Sequence, residues 1–110
     1  MRIAVSVLAV LFGLLHIIAA VAQFRTKDPA ARGSASLMLC GSILLIFSTV
    51  AHLVGSSGDW MIALSAAVCG FLPICFAAYL NGRRSGHVHL SHHAIRGGIA
   101  ALLVLGLFLW

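Results

Sequence analysis

The side chains that could do chemistry in this chain are few, and histidine leads them. Six histidines stand beside seven Lys or Arg, three cysteines and only two carboxylates, Asp28 and Asp59. Four of the histidines, His87, His89, His92 and His93, fall in one seven-residue stretch flanked by Arg83, Arg84 and Arg96. Three chemistries compete there. Free N–H groups and the dipole at a helix N-terminus attract phosphate, and Arg83, Arg84, His92, His93 and Arg96 would partner an anion or an anionic lipid headgroup. As a metal site, His89, His92 and His93 have the spacing of one helical face, while His87 and His89 share a face if the segment is extended. No acid or cysteine is nearby, and the arginines oppose a divalent cation. The third reading is an interfacial loop that follows the positive-inside bias and touches anionic headgroups non-specifically.

The other two histidines, His16 and His52, fall inside apolar runs. Ionisable residues in hydrocarbon are costly and usually face a bundle interior. Each is read first as a neutral imidazole bonded to a neighbouring helix, as Ser48 could serve His52 one turn away, and second as a proton relay or ligand group. At ~1.5 Å per residue the two lie roughly 15 Å apart along the membrane normal, too far to share one metal or haem. Cys40, Cys69 and Cys75 form no C-x-x-C pair. Small apolar packing is their favoured role; a thiolate–imidazole layer of Cys40, Cys75 and His16 for Zn²⁺ or Cu(I) is the alternative. No acid is placed to orient a histidine beside a serine, and there is no phosphate-cradling glycine loop or dinucleotide fingerprint. The balance is against an enzyme, and no cofactor is expected.

The elements that carry these residues are plain from the apolar pattern. Four stretches, roughly 3–24, 34–55, 60–80 and 94–110, occupy nearly the whole 110-residue chain. Each is close to the ~20 residues a helix needs to cross a hydrocarbon core. The chain is 62% hydrophobic and 8% charged, which excludes a soluble bundle with polar outer faces. One domain spans residues 1–110, with helices at approximately 3–24, 29–55, 60–80 and 92–110. Arg2, the first apolar run and Ala20-Val21-Ala22 mimic a secretory signal. That run is longer than a signal core, contains His16 and precedes Arg25, Lys27 and Arg32, so it is read as a retained helix.

Loop charges set the orientation. Arg25, Lys27 and Arg32 lie between the first two helices, and Arg83 and Arg84 lie between the last two. Ser56-Ser57-Gly58-Asp59 carries no Lys or Arg. Loops 25–33 and 81–91 are therefore expected on the cytoplasmic side of the cell membrane and both termini outside, with Arg2 weighing weakly for the inverse. Asp28-Pro29 reads as a helix N-cap, Asp59 caps the third helix with Trp60 at interface depth, Asn81-Gly82 closes the third helix, and Ser91 caps the fourth. Pro73 should kink the third helix.

Small residues mark where helices approach in lipid. The first helix has a stripe of Ser6, Ala9, Gly13, His16, Ala20 and Gln23. The second has Gly41, Ser48, His52 and Gly55, interrupted by Leu45. Ala66, Gly70, Pro73 and Ala77 mark the third; Ala94, Gly98 and Ala101 mark the fourth. An all-α membrane protein follows, a compact antiparallel four-transmembrane-helix bundle. In length and helix count it resembles the small multidrug resistance transporters. The resemblance is architectural only: that family's signature is a first-helix glutamate, and His16 stands in that region here.

These features point to a small polytopic membrane protein, either a homo-oligomeric transporter or channel protomer or a non-catalytic accessory subunit or lipid-contacting scaffold of a larger complex. Expected partners are the bilayer, anionic lipid headgroups and a second copy or membrane-complex subunit. The net charge of +5 is accounted for by the loops, so nucleic acid is not expected.

Overall fold

Backbone groups in hydrocarbon can bond only within their own segment, which makes each apolar stretch a helix. The computed structural model describes residues 2–55, 60–86 and 90–109. It contains α1 (Arg2–Phe24), α2 (Pro29–Val54), α3 (Trp60–Arg84) and α4 (Leu90–Leu109), with no strand among the described residues. All four are long and apolar enough to cross a membrane. They pack as an antiparallel bundle 44 Å long, so the helix ends extend past a hydrocarbon core of ~30 Å. Leu, Ile, Val and Phe cover the outer surface, as expected of a small membrane protein with lipid for a solvent.

The first three helices are held by small residues. Ser6, Ala9, Gly13, His16 and Ala20 of α1 are all buried, as their spacing predicts. α2 and α3 cross at Gly41 and Gly70, where a Cβ on Gly41 would lie 2.5 Å from the Gly70 carbonyl oxygen. Leu45, which interrupts the small-residue pattern of α2, fills the core between them. The buried hydroxyls of Ser42, Ser48 and Thr49 donate to carbonyls of their own helix, at Met38, Leu45 and Leu45, so close packing strands none of them.

α4 differs from the sequence-based expectation. Ala94, Gly98 and Ala101 face outward, and Ala100, Leu103 and Leu107 enter the core instead. Its near approach to α1 is at Gly106, where a Cβ would lie 2.9 Å from Val5 Cγ1. α4 is apolar around most of its circumference, so small residues alone do not mark its docked face.

Helix ends also shift. Asp28 is the N-cap of α2, accepting from the Ala30 N–H at 2.9 Å, with Pro29 following it. α3 does not close at Asn81-Gly82 but continues to Arg84, and Gly86 (φ +75°) supplies the left-handed residue after it. α4 begins at Leu90, so Ser91 lies inside the helix rather than capping it. Pro73 sits within α3 without ending it. The Asp59 cap and the Trp60 side chain lie outside the described residues.

Candidate functional site

The end of the bundle carrying the α1–α2 and α3–α4 connections is polar, and the polarity is organised. Asn81 Oδ1 accepts from Ser34 Oγ at 2.6 Å and from Arg84 Nη2 at 2.6 Å. Arginine can only donate, which fixes the oxygen of the Asn81 amide on that side and leaves its NH₂ on the other. Ser34 Oγ is also 3.2 Å from the Gln23 amide of α1, and Arg84 Nη1 stands 3.6 Å from Asp28 Oδ2. One clasp thus ties the ends of α1, α2 and α3 together. Both ion-pair partners are substantially exposed, so the shared Asn81 oxygen carries more of the clasp than Arg84–Asp28 does.

Beside the clasp lies a pocket of about 370 Å³ lined by all four helices. Leu15, His16, Ala19 and Gln23 come from α1, Met38 from α2, Ala78 and Asn81 from α3, and Arg96 from α4. His16 is 8% exposed, and its Nδ1 is 2.7 Å from the Phe12 carbonyl oxygen. A carbonyl only accepts, so Nδ1 carries a proton, and in the neutral imidazole that tautomer leaves Nε2 as the acceptor. Phe12 braces the ring at 4.3 Å between centroids and itself meets Phe71 of α3 at 5.4 Å.

Arg96 is six residues into α4, roughly 9 Å from its start. Its Nη2 donates to His92 Nε2 at 3.3 Å, and among the described residues no carboxylate lies within ion-pair distance of it. Guanidinium stays charged at any pH a cell reaches. Arg96 is half-buried in a membrane-competent helix, and among the described residues the hydrogen-bond partner of its guanidinium is His92, so the site favours an anion.

The residues singled out from the sequence are distributed unevenly around this pocket. His16 and Arg96 line it. His92 is exposed and touches Arg96; His93 stands edge-on to Tyr79 of α3 at 6.2 Å and braces the α3–α4 junction. Arg84 is turned into the clasp, and Arg83 borders a separate shallow groove with Ala30, Leu80 and Arg84. His52 is half-buried near the far end of α2. His87 and His89 lie outside the described residues, among which no three His, Cys, Asp or Glu side chains converge. Cys40 and Cys69 face outward and Cys75 is half-buried, which corrects the expectation of three packed thiols and separates Cys40 from any layer with His16. Three contributors were not singled out for chemistry: Ser34, Gln23 and Asn81. Gln23 ends the α1 stripe, and Asn81 resembled a helix stop.

Comparison with protein-family models, characterised proteins and solved structures finds no match. The site must therefore be read from its own groups. It offers the four N–H donors of Arg96 not given to His92, the Asn81 NH₂ and one imidazole acceptor, against apolar walls from Leu15, Ala19, Met38 and Ala78. That set favours a ligand with several acceptor oxygens and negative charge.

Proposed function

We propose that the chain is a multi-pass membrane protein that recognises an anion where its four helices converge and carries it as a protomer of a homo-oligomer. The observation that carries the reading is Arg96, a permanent cation in a membrane-competent helix with no carboxylate in reach among the described residues. Arg25, Lys27, Arg32, Arg83 and Arg84 surround the same end, so the positive-inside bias supports a cytoplasmic mouth and external termini. The oligomeric part rests on two facts. The Gly41–Gly70 crossing leaves little room for a path inside one copy, and α4 turns Ala94, Gly97, Gly98 and Ala101 outward, where a second helix could pack closely.

The test is anion flux into liposomes containing the full chain, together with its mass in mild detergent. The reading expects dimers or larger assemblies and flux that falls at least tenfold in Arg96→Ala, the order of one lost charge-assisted hydrogen bond. A monomer that co-purifies with a large partner and supports no flux would instead establish the accessory-subunit reading, for which the same outward face of α4 is the contact.

A further inference from the structure

The position of Leu15 narrows the ligand class. Leu15 lines the pocket, yet it is 65% exposed on the outer surface of α1, directly beside buried His16. One wall of the pocket is therefore also lipid-facing surface, and the pocket opens sideways as well as toward the loops. Its neighbours explain why. α1 and α4 meet closely at Val5 and Gly106, near the opposite end of the bundle. Toward the polar end they are parted by the pocket between His16 and Arg96.

The lining is also divided by polarity. Arg96, Asn81, Gln23 and His16 are polar, while Leu15, Ala19, Met38 and Ala78 are apolar. At about 370 Å³ the pocket is at the small end for ligand sites, enough for a headgroup and a few methylenes but not a long chain. A tail leaving past Leu15 would continue directly into the bilayer.

Hydrogen-bond polarity separates the candidate headgroups. A carboxylate has acceptors only and would set lone pairs against His16 Nε2, which is itself an acceptor in the neutral ring. A singly protonated phosphate monoester can present its anionic oxygens to Arg96 and the Asn81 NH₂ and its remaining P–OH to His16 Nε2. We infer that the pocket binds a single-chain phosphate monoester amphiphile, its head held by Arg96, Asn81 and His16 and its tail passing between α1 and α4 into the lipid. This rests on the anion reading above and adds the tail, the headgroup and the lateral route.

The experiment uses the full chain in phosphatidylcholine nanodiscs, with dodecyl phosphate, dodecanoate and inorganic phosphate as probes and empty nanodiscs as the partitioning control. Dodecyl phosphate is expected to bind most tightly, with a loss of at least tenfold in Arg96→Ala. His16→Phe, which keeps an aromatic ring against Phe12, should lower the preference for phosphate over carboxylate. Leu15→Trp changes a side chain at the exposed rim of the pocket and is the variant least able to disturb folding. It should weaken dodecyl phosphate by a larger factor than inorganic phosphate.

Equal binding of inorganic and dodecyl phosphate, both dependent on Arg96, would overturn the amphiphile and its lateral route but keep the anion site. Dodecyl phosphate binding indifferent to Arg96 and Leu15 would overturn both. An unchanged phosphate-to-carboxylate ratio in a folded His16→Phe protein would remove the headgroup assignment.

Discussion

The bundle joins two kinds of packing. α2 and α3 approach until their backbones touch at Gly41 and Gly70, whereas α4 carries Gly97 and Gly98 with open space above both. Small residues occur in both places and do opposite things. Between α2 and α3 they permit dispersion contacts that drive association in lipid, where apolar burial alone gives no advantage. On α4 they leave the surface bare, and the helix is held mainly through Ala100, Leu103 and Leu107. The three tightly packed helices form a frame, and the polar pocket lies where the loosely held helix meets it.

The largest effect should come from filling the α2–α3 crossing. A Cβ on Gly70 would lie 2.8 Å from both the Gly41 carbonyl oxygen and the Leu45 nitrogen, and backbone atoms cannot rotate away. Gly70→Val should destabilise the fold by about 3 kcal/mol or more, the upper end for overpacking, in steric-trap or detergent unfolding. A loss under about 1 kcal/mol would mean that the frame is no tighter than α4.

An intermediate effect is expected at the clasp. Asn81→Ala removes the acceptor shared by Ser34 and Arg84 and should cost about 1 kcal/mol, typical of interhelical hydrogen bonds in membranes. Asp28 separates its two roles. Asp28→Asn keeps an oxygen for the α2 N-cap and should be nearly neutral, since the exposed pair with Arg84 contributes little. Asp28→Ala should cost about 1 kcal/mol through the cap. Equal losses in the two variants would show that the ion pair, not the cap, matters.

The smallest effect belongs to α4. Gly98→Ala adds a methyl into open space and improves helix propensity, so the stability of one copy should change by less than about 1 kcal/mol, and upward if at all. If a second copy docks there, the same methyl should weaken the oligomer while sparing the monomer. Sedimentation equilibrium in detergent would register that split.

The legibility of the sequence follows the same division. Four spans and the α1 face were readable because apolar length and a regular small-residue stripe each have one physical meaning in a bilayer. The α4 face was not, because a helix apolar around most of its girth has no contrast to read. Helix phase did hold a usable signal: Arg96 shares a face with Ala100, Leu103 and Leu107 through steps of four, seven and eleven residues. Counting Arg96 with the cationic connection hid its inward position. Asn81-Gly82 was misread because a stop signal is local, while the bond from Ser34 of α2 to Asn81 that accompanies the longer α3 is tertiary.

The central claim is that the Arg96 guanidinium meets an anion, and a distance measurement tests it most directly. Arginine labelled with ¹³C at the guanidinium carbon and dodecyl phosphate observed through ³¹P allow dipolar dephasing to be recorded on the full chain in lipid. The account predicts strong dephasing of one arginine signal, as expected for a direct guanidinium–phosphate contact, and its loss in Arg96→Lys. Dephasing that survives Arg96→Lys, or that vanishes only when Arg83 or Arg84 is replaced, would place the anion at the surface and contradict the pocket.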